Sequence, residues 1–229
     1  MKLVYVHHSG FYLEIEDKVL IFDNIDHGLI NKLTDCKDKD GYIFVTHKHG
    51  DHYDNNIWAL RNCFKNTKYI FGERVDKEGY DIFNMLANQE SNIGDLNVKT
   101  TASTDRGVSF LIKTKGETIY HAGDLNWWYW KNDDDYTHKK EERDYKVEIE
   151  KLLGEDIDVA MVPVDPRLEE YYYLAGKYFI EELKPKNFFP MHFSTNFDIT
   201  NKFKDFMDKE NNNTNVYEIN RIYQEFILD

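Results

Sequence analysis

A short polar stretch, VTHKHGDHYD at positions 45–54, holds the residues of this chain that are best suited to chemistry. Three of the nine histidines lie within six residues of one another, namely His47, His49 and His52. Imidazole nitrogen and carboxylate oxygen are the ligands that zinc, iron and manganese take in proteins. The two histidines at i and i+2 can bind one ion, whereas Asp51 and His52, beyond the flexible Gly50, can reach a second. The stretch therefore predicts a metal site, and it leaves open whether one ion binds or two.

The alternative interpretation of this stretch is a solvated polar loop. The pattern His-x-His-x-Asp-His would arise by chance in on the order of one in a thousand chains of this composition, which favours the metal site. The apolar run Gly41–Thr46 before it is typical of a strand. Asp54 after it is suited to the N-cap of a helix, because apolar residues then recur at helical spacing. These apolar residues are Ile57, Leu60 and Phe64. The histidines thus occupy a strand-to-helix loop, where functional residues are commonly placed.

The rest of the chain predicts a layered α/β protein. Apolar runs bounded by turn residues predict strands at Lys2–His7, Phe11–Ile15, Val19–Phe22, Lys68–Gly72, Ile93–Thr100, Val108–Thr114, Glu117–His121, Asp158–Val164, Asn187–Pro190, Val216–Ile219 and Tyr223–Leu228. Helical patterns cover Lys139–Leu153, Leu174–Leu183 and a segment that includes Phe203–Met207. Because neither a repeat nor a Pro/Gly/Ser-rich linker interrupts the sequence, we expect a single domain over residues 1–229.

The composition narrows the range of partners. The formal net charge of −13 disfavours nucleic acid and anionic membranes, because phosphate binding relies on clustered lysine and arginine. The start, MKLVYVHHSG, lacks the apolar region of a secretion signal, and no later run approaches eighteen apolar residues. Two isolated thiols, Cys36 and Cys63, do not make a disulfide framework. We therefore expect a cytoplasmic protein that binds neither nucleic acid nor membrane.

Three motifs besides the histidine cluster carry a resemblance to a known family. THKHGDH resembles the His-x-His-x-Asp-His motif of the metallo-β-lactamase-fold hydrolases. VHHSGFYLEIEDKVLIFD resembles the opening hairpins of that family, HAGDLN its downstream Gly-Asp metal motif, and FFPMHF its final histidine after a strand. The match looks closest to the single-domain branch related to ascorbate-6-phosphate lactonases. The resemblance implies an α/β fold, a four-layer αββα sandwich, with a two-metal site at the edge of its sheets.

The resemblance also implies a role for each ligand. The ligands would be His47 and His49 for metal 1, Asp51, His52 and His192 for metal 2, and Asp124 as the bridge between them. Zinc is the expected metal, as one or two ions, with manganese and iron as alternatives. Such an ion lowers the pKa of bound water and polarises the scissile bond. Asp51 would orient the resulting hydroxide or pass its proton on.

One ligand of the family pattern is missing from this chain. The family supplies a third histidine to metal 1 before the Gly-Asp motif, but no histidine stands between His52 and His121. The segment Ser103–Asp105 takes that place. Asp105 could replace the histidine, metal 1 could be weak and leave a mononuclear site at metal 2, or His8 or His121 could approach from a neighbouring strand. The sequence leaves these three interpretations open.

Residues near the Gly-Asp motif are candidates for substrate binding. Trp127 and Trp128, with Trp130, follow Asp124 closely and could line an apolar pocket, although aromatic clusters also serve as packing. Arg167 follows a predicted buried strand and suits an anionic group such as phosphate or carboxylate, although a surface ion pair would explain it too.

These observations predict a metal-dependent hydrolase that cleaves a small ester, lactone or phosphoester. Its substrate would be a small molecule, and Arg167 favours an anionic one. The alternative is a non-catalytic metal-binding protein that keeps the fold as a binding surface, for which the missing histidine argues. A nuclease of the same superfamily is the least favoured, because the charge of −13 and the lack of a long insertion offer no surface for RNA.

Overall fold

A computed structural model of this chain describes residues 1–210 and 212–228. Its strands within these ranges are β1 Lys2–His7, β2 Gly10–Ile15, β3 Lys18–Phe22, β4 Asp40–Val45, β5 Asn66–Phe71, β6 Asp81–Asn84, β7 Glu90–Ile93, β8 Leu96–Ala102, β9 Val108–Thr114, β10 Glu117–His121, β11 Val159–Pro163, β12 Asn187–Met191, β13 Asn215–Val216 and β14 Glu225–Ile227. The α-helices are α1 Asp135–Glu150, α2 Leu174–Leu183 and α3 Asp198–Met207. Shorter 3₁₀ segments are Leu29–Lys32, Asn55–Cys63 and Pro166–Tyr171. None of the helices in the described ranges combines the length and apolar character needed to cross a membrane.

Contacts along the chain group it into two compact units. Unit 1 comprises Met1–Leu86 and the described residues of Arg221–Asp229, and unit 2 is Ala87–Asn220. Each unit is built on one seven-stranded sheet. The single domain expected over residues 1–229 stays a prediction.

The sheet of unit 1 has the strand order β14-β1-β2-β3-β4-β5-β6. The first four of these strands pair antiparallel, and β3 to β6 pair parallel. Every residue of β3, which lies inside the sheet between antiparallel β2 and parallel β4, is buried. The register places Phe22 opposite Phe44, so the residues that follow β3 and β4 leave the sheet at the same edge. Asp23 and the His47 loop therefore start side by side.

The segment after the histidine cluster differs from its prediction. Asp54 caps it as expected, because its side chain accepts a hydrogen bond from Asn56 N at 2.8 Å. The segment is nevertheless a 3₁₀ helix rather than an α-helix. Its buried residues Ile57, Leu60 and Cys63 recur every three positions, which is the period of a 3₁₀ helix. Phe64, which was predicted to lie on this helix, is extended and lies beyond its end.

The sheet of unit 2 has the order β13-β12-β11-β10-β9-β8-β7. Strands β7 to β10 pair antiparallel, whereas β10 to β13 pair parallel. The register places His121 opposite Met161 and Pro163 opposite Met191. The loops after β10, β11 and β12 therefore leave unit 2 at one edge of its sheet, and they carry the Gly-Asp motif, the VDPR segment and the final histidine.

Most predicted elements are confirmed, and the exceptions have local causes. The predicted helix Leu174–Leu183 has the predicted bounds, and α1 begins earlier than predicted because Asp134 caps it through Thr137 N. The predicted strand Ile93–Thr100 is wrong as a single element, since Gly94 has φ 63° and separates β7 from β8. The sequence did not indicate β6, a four-residue strand that is exposed at both of its ends.

Gly41 generates a stability prediction for the strand that leads to the histidine loop. A Cβ at this position would meet the Phe64 ring, with two ring atoms at 2.6 and 2.8 Å. We expect Gly41→Ala to lower the free energy of unfolding by about 1–3 kcal/mol, the usual cost of overpacking. The measurement is urea denaturation of Gly41→Ala, Phe64→Leu and the double variant. Because the smaller leucine relieves the clash, the Gly41 substitution should cost less in the Phe64→Leu background. Additive effects would contradict this account.

Candidate metal centre

The His47 loop of unit 1 brings three side chains together. The backbone N–H groups of His52 and Tyr53 both bond to the carbonyl of His49, at 3.0 and 2.8 Å, and close a tight turn. The ligand atoms of His47, His49 and Asp51 lie within 4.8 Å of one another. His47 is fully buried, whereas His49 and Asp51 are exposed. The turn therefore gathers residues that the sequence places up to four positions apart.

His8 joins the other end of the same loop. Its ligand atom lies within 4.8 Å of those of Asp51 and His52, and its Nε2 is 3.6 Å from Asp51 Oδ2. The adjacent His8 side chain holds the pKa of the Asp51 carboxyl well below its usual range. His8 has φ 55°, a left-handed conformation that is uncommon outside glycine, and its N–H bonds to Tyr5 Oη at 2.9 Å. His8 thus lies with Asp51 and His52, two of the three residues that the resemblance assigns to metal 2.

Asp23 holds His52 in one orientation. Its Oδ2 lies 2.7 Å from Nδ1 of His52 and 2.7 Å from Thr46 Oγ1, and its Oδ1 accepts Thr46 N–H at 2.8 Å. Asp23 and His52 are fully buried. A metal-binding histidine commonly donates its second ring N–H to a carboxylate, which directs the other nitrogen to the metal. Asp23 was not among the predicted site residues, and its one signal in the sequence is a carboxylate directly after an apolar strand, in VLIFD.

The same arrangement recurs in unit 2 at His192. Its Nδ1 lies 2.9 Å from Asp165 Oδ2, and its Nε2 lies 3.3 Å from Asp124 Oδ1. All three side chains are buried. Burial alone would lower the pKa of His192, but the carboxylates of Asp124 and Asp165 raise it. His192 also has φ 66°, so this ligand candidate, like His8, has a left-handed backbone at a strand end.

Asp165 is itself held by Arg167. The guanidinium Nε lies 3.0 Å from each Asp165 oxygen, and Nη2 lies 2.5 Å from Oδ2. Burial would raise the pKa of Asp165, but the hydrogen bonds from His192 and Arg167 outweigh it and lower the pKa to about 2. Arg167 therefore forms the ion pair that the sequence analysis considered as its alternative role.

The Ser103–Asp105 segment contacts the Gly-Asp motif through a threonine. Thr104 Oγ1 donates to the Asn126 carbonyl at 2.6 Å and accepts Asn126 N–H at 3.1 Å. It also lies 3.5 Å from the carbonyl of Asp124. Asp105 is exposed, and within the described residues it joins no group of three metal-ligand side chains. Its role as a ligand stays a prediction. His121 is buried at the end of β10, where its Nδ1 accepts Gly123 N–H at 3.2 Å.

The tryptophans after Asp124 separate into two environments. Trp127 stacks on Tyr145 at 6.3 Å and lies under Lys146, so the structure places it in packing against α1. Trp128 stacks on Trp130 at 5.7 Å, and both line a cleft together with Arg167. Of the substrate-binding candidates, Trp128 and Arg167 share this cleft.

The donor set suits a transition-metal ion. The side chains gathered in each unit offer imidazole nitrogens and carboxylate oxygens, which zinc, manganese and iron all accept. Each unit also has one buried histidine whose Nδ1 is held by a buried aspartate, which is the usual environment of a metal-binding imidazole. The residues present therefore fit the metal that the motifs predict.

Comparisons with known proteins agree with this chemistry. A family model described as the beta-lactamase superfamily domain matches residues 2–192. A metal-dependent hydrolase of Desulforamulus reducens is 28% identical over 214 residues, which cover 85% of each chain. The solved structure of a metallo hydrolase from Ignicoccus hospitalis aligns with a TM-score of 0.67 and 18% identity, covering 100% of this chain and 99% of that one. A diiron β-hydroxylase from Streptomyces venezuelae also aligns with a TM-score of 0.67, at 10% identity, over 99% of this chain and 54% of its own. These structural likenesses show the shared metallo-β-lactamase fold.

The Asp23–His52 hydrogen bond generates a prediction about metal affinity. We expect Asp23→Asn to weaken metal binding by about 10- to 100-fold, because the amide no longer orients and polarises His52 as a carboxylate does. The measurement is competition against a chromogenic chelator, with zinc, manganese and iron in turn. Asp158→Asn is the matched control, since Asp158 is another buried carboxylate but bonds to Thr118 N and Lys186. Equal effects of the two substitutions would contradict the role of Asp23.

Thr104 generates a prediction about the Gly-Asp motif. Thr104→Val removes the hydroxyl that satisfies the buried Asn126 N–H, so we expect the free energy of unfolding to fall by about 1–3 kcal/mol. Thr104→Ser keeps the hydroxyl and should retain most of the stability. Chemical denaturation of both variants measures the difference. A serine variant as unstable as the valine variant would show that the methyl group, rather than the hydrogen bonds, matters.

Proposed function

Because this chain belongs to the beta-lactamase superfamily, we propose that it is a metal-dependent hydrolase acting on a small ester, lactone or phosphoester. The observation that carries the proposal is the pairing of each of two buried histidines, His52 and His192, with a buried carboxylate through Nδ1. Packing alone does not require two such buried pairs beside further histidines and aspartates. The names of the similar proteins, several of them metal-dependent hydrolases, support the same class of activity.

The proposed ligands come from the motifs of the family. They are His47, His49, Asp51 and His52 in unit 1, and Asp124 and His192 in unit 2, with Asp105 as a further candidate. When bound, the metal supplies Lewis acidity and a water of lowered pKa. Asp23 and Asp165 hold the rings of His52 and His192 in place. Asp51, whose side chain is half exposed, is placed to exchange a proton with solvent, as a general base or acid.

The finer assignments are proposals as well. Zinc is the proposed metal, as one or two ions, and manganese and iron are alternatives that the nitrogen and oxygen donors also suit. The relationship to ascorbate-6-phosphate lactonases is proposed from the sequence motifs. A cytoplasmic location agrees with Cys36 and Cys63, which are both buried free thiols. The proposed partner is a small molecule, and neither nucleic acid nor membrane is expected. From the sequence, we also propose that this substrate carries an anionic group and that Arg167 binds it.

A non-catalytic metal-binding protein is the second candidate function. The observation that favours it is the Ser103–Asp105 segment, where the family pattern has a histidine. There Thr104 bonds to the backbone and Asp105 is exposed. A chain with one weakened metal position could bind an ion without turning over a substrate. Metal content and turnover separate this candidate from the hydrolase.

The test combines metal content with activity. The protein is purified without chelator or added metal, and its metal content per chain is measured by mass spectrometry. Turnover is then measured on 4-nitrophenyl acetate, bis(4-nitrophenyl) phosphate, a thioester and a small lactone. We expect bound metal, turnover of at least one substrate, and a loss of about 100-fold or more in His47→Ala and Asp51→Ala, because metal-ligand and acid–base roles are worth that much.

His27→Ala serves as the matched control for these variants. His27 is an exposed histidine of the same unit, and its Nε2 lies 3.4 Å from Asp54 Oδ1. This variant should keep both metal and activity. Bound metal with no turnover on any substrate would favour the non-catalytic candidate. Activity that survives in both His47→Ala and Asp51→Ala would reject the hydrolase mechanism proposed for this loop.

A further inference from the structure

His8 lies on the tight turn between β1 and β2, at the sheet edge where the His47 loop begins. The register explains this position, because it pairs Phe11 near the start of β2 with Phe22 at the end of β3. It also pairs Phe22 with Phe44, near the end of β4. The turn before β2 and the loop after β4 therefore leave the sheet of unit 1 at the same edge.

The turn that carries His8 is closely packed. The backbone of His8 is left-handed, with φ 55°, and its N–H bonds to Tyr5 Oη at 2.9 Å. At Gly10, a Cβ would lie 2.9 Å from the His7 carbonyl oxygen and 3.2 Å from that of Asp23. The turn thus packs directly on Asp23. A left-handed backbone at a residue other than glycine costs free energy, and such conformations cluster at functional sites.

The distance between His8 and Asp51 does not suit a hydrogen bond. Nε2 of His8 lies 3.6 Å from Asp51 Oδ2, beyond the range of about 2.7–3.2 Å in which N–H···O bonds form. It does suit two ligands of one ion. With bonds of about 2.0–2.2 Å to zinc, two ligand atoms at tetrahedral or slightly wider angles lie about 3.3–3.6 Å apart. The spacing therefore favours an ion shared by the two side chains.

His52 completes a group of three with His8 and Asp51. The ligand atoms of the three side chains all lie within 4.8 Å of one another. The rings of His8 and His52 meet edge to face, at 83° with centroids 5.5 Å apart, so they do not stack. Nδ1 of His52 lies 2.7 Å from Asp23, so Nε2 is the nitrogen that would bind a metal. Two imidazoles and a carboxylate are a common donor set of catalytic zinc sites, in which water takes the fourth position.

We propose that His8 is a metal ligand and that its Nε2 binds the same ion as Asp51 and His52. Within the described residues, His8 does not belong to the group formed by His47, His49 and Asp51. It therefore adds a ligand to metal 2 and does not replace the histidine that metal 1 lacks. With His8, unit 1 alone supplies three ligands of metal 2. The proposal rests on the proposed function, because it extends the ligand set of the same hydrolase.

His8→Gln separates a metal ligand from a hydrogen-bond donor. Glutamine keeps an N–H donor close to the position of Nε2, whereas its amide is not among the usual ligands of zinc. His7→Ala is the matched control, since His7 is the neighbouring histidine and joins no metal-ligand group in the part of the chain that the structure describes. The metal-free protein is titrated with zinc against a chromogenic chelator. We expect His8→Gln to weaken the binding of one zinc ion about 100-fold or more, which exceeds the usual loss for a residue that only orients a ligand. His7→Ala should leave zinc binding unchanged.

A direct bond is measured on the wild-type chain with ¹¹³Cd in place of zinc. The ¹⁵N ring signals of His8 are assigned through its own backbone amide. We expect a coupling between ¹¹³Cd and Nε2 of His8, which only a bond to the ion produces. This measurement needs no variant, so it tests the proposal even where His8→Gln fails to fold.

Three results would overturn the proposal: a loss in His8→Gln no larger than that in Asp23→Asn, equal losses in His8→Gln and His7→Ala, or no ¹¹³Cd coupling to His8. The first result would make His8 a hydrogen-bond donor that only positions Asp51. Neither assay measures turnover, so both are independent of the hydrolase test. Metal bound through His8 without hydrolysis of any substrate would count against the proposed function alone. Metal-dependent hydrolysis without a bond from His8 to the ion would count against the further ligand alone.

Discussion

The candidate centre depends on one interaction that occurs twice, a hydrogen bond between Nδ1 of a buried histidine and a buried aspartate. Asp23 makes it with His52 at 2.7 Å, and Asp165 makes it with His192 at 2.9 Å. In both pairs the carboxylate fixes which ring nitrogen remains for a metal and makes that nitrogen a better ligand. A buried carboxylate needs hydrogen-bond partners, and each aspartate has a second one besides its histidine, Thr46 for Asp23 and Arg167 for Asp165.

In both sheets, the two members of the pair follow neighbouring parallel strands. Asp23 follows β3 and the His47 loop follows β4, which is the parallel neighbour of β3. Asp165 follows β11 and His192 follows β12, again parallel neighbours. Parallel strands end at a common edge, so residues far apart in sequence meet there. The left-handed backbone at His8 and His192 then turns each histidine out of its strand.

The His192–Asp165 pair lies next to an arginine and two tryptophans. Arg167 bonds to Asp165 and lies over Trp128 and Trp130, so one guanidinium connects the buried carboxylate to the indole stack. That engagement gives the guanidinium of Arg167 a buried carboxylate as its counter-charge.

The sequence by itself determined the features that depend on neighbouring residues. The candidate ligand cluster of positions 47–52, the Asp54 cap and the bounds of α2 follow from local spacing, which a linear chain displays directly. The spacing of Ile57, Leu60 and Cys63 did not distinguish a 3₁₀ helix from an α-helix, because residues three positions apart fit both periods. The packing of the folded chain decides between the two helix types.

Only the tertiary structure decided the hydrogen-bond partners of the candidate ligands. Asp23 and His52 are 29 positions apart, and Asp165 and His192 are 27 apart. Their meeting depends on which strands are parallel neighbours and in which register, and sequence periodicity carries no information on either. The partner of Arg167 and the separate environments of Trp127 and Trp128 were undecided for the same reason. Local pattern predicts the element a residue belongs to, whereas the pairing of elements selects the atoms it meets.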